Sequence, residues 1–140
     1  MQTVCDLPRG STALTAANGG AWNQDGSIVF AGYNGPLLRV PAMGGMPQPA
    51  TALAKGELSH VWPQLLPDGR HVLYLARSGD AANHAIYVQE LGSSLRVQVL
   101  KSLTRAMWSP PPAPRRPDEE GYLLFIREGT LFAQRMDPKR

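Results

Sequence analysis

A chain of 140 residues and 15.2 kDa is the size of one domain and long enough to bury a core. With 43% hydrophobic and 18% charged residues it is not a disordered chain, and 14 glycines with 13 prolines exclude long helices in favour of short strands joined by turns. The net charge is +3, and 11 of the 14 cations are arginines spread along the chain; only Arg115-Arg116 and Lys139-Arg140 are adjacent. A nucleic-acid groove needs clustered cations interleaved with aromatics, so no nucleic-acid partner is expected.

The opening residues, Gln2 to Leu7, read as a strand with no partner in its own repeat. They lack the basic and apolar regions of a secretory signal, and no run of about 18 apolar residues follows anywhere, so membrane insertion is not expected. A chain that opens directly on strand-like text predicts either a piece of something longer or a small unit that must assemble. Cys5, the single cysteine, forms no disulfide or cysteine-based zinc site alone and reads as a small apolar strand residue.

The first repeat occupies residues 19–55. It opens on Ala21-Trp22, turns at Asp25-Gly26, and continues with the apolar run Ile28-Val29-Phe30. Asp-Gly between apolar runs predicts a hairpin, because glycine accepts positive φ and aspartate bonds the turn backbone. A third strand is predicted at Leu37 to Val40, a turn at Met43-Gly44-Gly45, and a fourth strand at Ala50 to Leu53.

Residues 59–101 repeat the scheme: Val61-Trp62-Pro63-Gln64, the turn Asp68-Gly69, the run Val72-Leu73-Tyr74, then Ala85 to Val88 and Arg96 to Leu100. Residues 105–138 hold an incomplete copy: Met107-Trp108-Ser109, a proline-rich insertion from Pro110 to Pro117, Leu123-Leu124-Phe125, and Thr130 to Ala133. The insertion is read as a stiff loop, with a polyproline ligand as the alternative.

Trp22, Trp62 and Trp108 thus recur at spacings of 40 and 46 residues, the range of four-stranded propeller blades. The runs after each turn are nearly all apolar, as in strands covered on both faces. The predicted fold is all-β, a β-propeller fragment of about three four-stranded antiparallel blades. Because three blades do not close, completion to a ring by oligomerisation is expected, with a homodimer of six blades as the partner arrangement and residues 1–7 completing the last blade of the other chain.

These residues resemble the TolB-like propeller repeats, whose pattern is Trp-Ser-Pro-Asp-Gly followed by an apolar strand and an Ile-Tyr strand. Trp62-Pro63, Pro67-Asp68-Gly69-Arg70 and Ile86-Tyr87 carry the likeness; Trp22 with Asp25-Gly26 carries it more weakly, and the third unit departs from it. Gly19-Gly20-Ala21-Trp22, Trp62 to His71 and Gly121 to Leu131 are also similar to the propeller sensor regions of bacterial serine/threonine protein kinases. The resemblance is to bacterial proteins, with a cell-envelope parent as one setting; the sequence itself assigns no compartment. It carries no kinase activity, since the phosphate loop and catalytic Asp loop are missing.

Recurrence at the repeat period assigns Trp22, Trp62 and Trp108 to packing between blades, and Asp25, Gly26, Asp68 and Gly69 to turns. No catalytic group, metal site or cofactor is expected: His60, His71 and His84 share no two-histidine spacing, and no Gly-x-Ser-x-Gly occurs. A protein or small-molecule ligand would bind on a ring face, where loops converge. Position selects Tyr33, Asn34, Glu57, His60, His84, Arg105 and Arg127 as candidates there. The functional expectation is a non-catalytic binding and scaffold module; the alternatives are an accessory propeller of a larger hydrolase or kinase, and a propeller lectin.

Overall fold

The computed structural model describes residues 1–6, 18–32, 34–113 and 119–137. Among them the chain is all-β, with a single 3-10 turn at Ala81–Asn83. The Asp-Gly turns form as predicted. Gly26 and Gly69 take φ of 85° and 66°, while Asp25 Oδ1 accepts from the Ser27 N–H and Asp68 Oδ1 from the N–H groups of Arg70 and His71. Each turn folds one strand back antiparallel on the last, and three small sheets result.

The first sheet runs β1 (Gly20–Trp22), β2 (Ser27–Ala31), β3 (Leu37–Pro41), β4 (Gln48–Pro49), paired in that order. The second runs β5 (Glu57–Leu65), β6 (His71–Ser78), β7 (Ala85–Glu90), β8 (Arg96–Lys101). The third has β9 (Ala106–Ser109), β10 (Gly121–Arg127) and β11 (Thr130–Met136), with β10 in the middle.

The fourth strand of the first sheet is two residues long and ends at Pro49, before the predicted Ala50 to Leu53. The reason is local. Ala50 N–H donates to the Leu37 carbonyl, and Thr51 turns its hydroxyl inward to accept from the Leu37 N–H. A side chain therefore replaces the backbone ladder, and the chain leaves the sheet. Met1–Asp6 form no strand, and the Val4 carbonyl lies against Gly44 in the β3–β4 turn.

The core lies between the sheets. Val29, Ala31 and Leu37 of the first sheet, most of β6, and Trp108, Leu123 and Phe125 of the third form one buried cluster. β6 is buried on both faces, as its apolar run predicts, because the second sheet is sandwiched between the other two. Trp62 sits at a bulge in β5 with φ of 56°, its N–H donating to the Asn18 carbonyl. Of the three tryptophans assigned to packing between sheets, Trp108 is 7% exposed and Trp62 is half-buried, but Trp22 is 70% exposed. Among the described residues no sheet lies against Trp22.

Candidate functional site

At one end of the sheets the β2–β3, β4–β5, β6–β7, β8–β9 and β10–β11 connections come together. Gly35 N–H donates to the Leu58 carbonyl, and Ser102 N–H to the His84 carbonyl. Two clefts open there. One, of about 650 Å³, has His84, Lys101, Thr104, Ile126, Arg127 and Glu128 among its lining. The other, of about 420 Å³, includes Asn18, Asn34, Ser59, Arg77 and again His84. The structure thus brings His84 together with Arg127 on one side and with Asn34 on the other.

His84 Nε2 donates to the Ser78 carbonyl at 3.0 Å, leaving Nδ1 as a buried acceptor without a hydrogen-bond partner. Arg127 donates to the Lys101 carbonyl at 2.8 Å and covers the Phe125 ring at 5.4 Å. Arg105 stands apart, over the Trp62 ring at 5.0 Å. Tyr33 lies outside the described residues.

His60 and Glu57 are not free loop groups; they lie within β5. His60 is 1% exposed, and both ring nitrogens are used: Nδ1 meets Thr51 Oγ1 at 2.7 Å and Nε2 meets Glu57 Oε2 at 2.8 Å. Because the Glu57 carboxylate can only accept, the proton of the neutral imidazole sits on Nε2, and Nδ1 accepts from the Thr51 hydroxyl. Glu57 also accepts from the Ala54 N–H and from Arg96 at 2.7 and 3.2 Å. Arg96 covers the Tyr87 ring at 3.9 Å, and the Tyr74 hydroxyl donates to Gln89.

Burial lowers the His60 pKa, outweighing the neighbouring carboxylate. Burial alone would raise the Glu57 carboxyl, yet the hydrogen bonds from Arg96, Ala54 and His60 hold it below the usual value. The cluster ties the segment after the first sheet to β5 and β8, and every one of its hydrogen-bonding groups named here is occupied. It works as a clamp between sheets. The sequence carried no sign of it, because its members are 45 residues apart and each is ordinary alone.

A third cleft, of about 860 Å³, opens at the opposite end, between Asp25, Arg39 and Gln48 of the first sheet and Gln89 and Ser93 of the second. Arg39 pairs there with Asp25, whose carboxyl is held down first by the Ser27 hydroxyl. Among the described residues no cluster of three or more His, Cys, Asp or Glu side chains is placed to hold a metal ion, and no helix is long and apolar enough to cross a membrane.

What the fold and these clefts define is an all-β chain of three stacked antiparallel sheets. No protein-family model matches it, and no curated protein or solved structure matches it either.

Proposed function

We propose that this chain is a non-catalytic β-propeller segment of the TolB-like kind, a binding and scaffold module that joins a second copy of itself to complete a six-bladed ring. The observation that carries this reading is the apolar outer face at each end of the stack. Trp22, which is exposed, shares the outer face of the first sheet with the half-buried Ile28, Phe30 and Leu38, while Val40 on the same face is already buried. Met107, Leu124, Ile126 and Leu131 share the outer face of the third, where all but Leu124 are exposed. Neighbouring exposed apolar side chains of this kind mark an interaction site. Both faces belong to sheets whose other side is already packed, as successive blades of a ring are. Ligand contact belongs to the loop end, where His84 and Arg127 share a cleft.

The deciding experiment is molar mass by light scattering behind size-exclusion chromatography. A species of twice 15.2 kDa with a single cooperative melt is expected. A stable, well-folded monomer overturns the assembly reading.

A further inference from the structure

We infer that two copies dock head to tail: the Trp22 face of one chain packs on the outer face of the other's third sheet, and Met1–Asp6 lies along the edge of that sheet at β11. The inference rests on the self-assembly proposed above and specifies its contact.

Residues directly opposed in an antiparallel pair share a face. Trp22 is opposite Ile28 in the first sheet, as Trp108 is opposite Leu123 in the third. The two rows are repeat-equivalent, for Ile28-Val29-Phe30 corresponds to Leu123-Leu124-Phe125. In the third sheet that row belongs to the core cluster shared with the second sheet. In the first sheet the residues shared with the second are Val29, Ala31 and Leu37, on the opposite face. Each tryptophan row therefore faces the sheet before its own, and the first sheet has none before it within the described residues. That is why Trp22 is exposed while Trp108 is buried.

The third sheet supplies the missing surface. Its outer face carries Leu124, the repeat equivalent of the packed Val29, flanked by Ile126 at 55% and Leu131 at 68% exposure. One end of this chain is thus built like the partner that its other end lacks, so a second copy fits where an unrelated protein has no stated reason to. A contact of this kind is heterologous, and two copies close it into a ring only if both ends engage.

The strand edge agrees. β11 forms the margin of its sheet, exposed from Thr130 to Arg135, where the first two sheets have β4 and β8. Met1–Asp6 precede β1 as β4 precedes β5 and β8 precedes β9, and Val4 lies at the rim of the first sheet, against Gly44. That rim is where the fourth strand of a preceding sheet would run.

The test uses Trp22→Glu and Leu131→Glu, both at exposed positions, with the wild-type chain. Each variant alone is expected to raise the dissociation constant about thirtyfold or more, since both contacts of the ring are hit. Mixed together they should associate again, because one unmodified Trp22 face then meets one unmodified third sheet. For the strand, a cysteine placed in turn at Leu131, Phe132, Ala133 and Gln134 should give, at one position or more, an interchain disulfide with Cys5 under oxidising conditions.

A wild-type dimer whose variants stay dimeric, or whose mixed variants stay monomeric, overturns the head-to-tail contact and leaves self-assembly standing. A dimer with no interchain disulfide at any of the four positions overturns the strand placement. A monomeric wild type overturns both this inference and the reading beneath it.

Discussion

The side-chain amide of Gln64 pairs with the backbone of Trp108 as a neighbouring strand would: Nε2 donates to the Trp108 carbonyl and Oε1 accepts from its N–H, both at 2.8 Å. β5 and β9 belong to different sheets, so this one side chain bridges a boundary that backbone pairing does not cross. At the other boundary, which the Gly35–Ser59 backbone bridge also crosses, Asn23 adds a single side-chain bond, donating to the Gly69 carbonyl at 3.0 Å. Side-chain amides suit the task because they carry a donor and an acceptor in one plane.

Removal of that bridge sets the first expectation. Gln64→Ala leaves the Trp108 N–H and carbonyl without these partners beside a buried ring, a loss of about 1–3 kcal/mol. Urea unfolding followed by tryptophan fluorescence measures it. A midpoint unchanged from wild type would show that the amide contributes nothing to docking the third sheet.

Acid should weaken the fold in the range set by His60. Burial holds its folded pKa below the ordinary 6.5. Between the two values the unfolded chain binds the proton and the folded chain does not, so stability rises with pH there. The contribution is complete above about pH 6.5 and is lost as pH falls through the depressed folded value. Glu57, also depressed, continues the loss below its ordinary 4.5. Denaturation midpoints between pH 8 and 5 should fall for the wild type and flatten in His60→Gln. A parallel fall in both chains assigns the acid sensitivity elsewhere.

Gly121 sets a third expectation, from space alone. A Cβ there would collide with the Ser109 carbonyl oxygen and come within 2.8 Å of the Trp108 ring. Neither can move without opening the β9–β10 pairing or shifting the buried indole. Gly121→Ala should therefore cost about 1–3 kcal/mol, the usual range for overpacking, although the change adds one methyl group. Thermal melts check it, with Gly79→Ala, where a Cβ meets nothing within 4 Å, as the contrast.

Local chemistry made much of the fold legible. Asp25-Gly26 and Asp68-Gly69 announce their hairpins because the turn conformation is a property of four adjacent residues. The runs at β2, β6 and β10 announce strands because alternation and burial follow from chain geometry. The fourth strand of the first sheet was misplaced because Thr51 forms its decisive bond with Leu37, fourteen residues away. Glu57 and His60 were expected on a loop surface and are instead interior, because Arg96, 39 residues from Glu57, supplies the charge that lets a carboxylate be buried.

By itself the sequence determined the all-β class, the repeat, the turns and the order of strands, since each depends on neighbours along the chain. Tertiary structure alone decided which face of each sheet is covered. It buried Trp108 and left Trp22 in solvent, although both stand at the same repeat position. It also gathered His84 with Arg127 at one cleft and closed the Thr51, His60, Glu57 and Arg96 clamp. Those outcomes depend on which sheet lies beside which, a relation between residues far apart that no local pattern encodes.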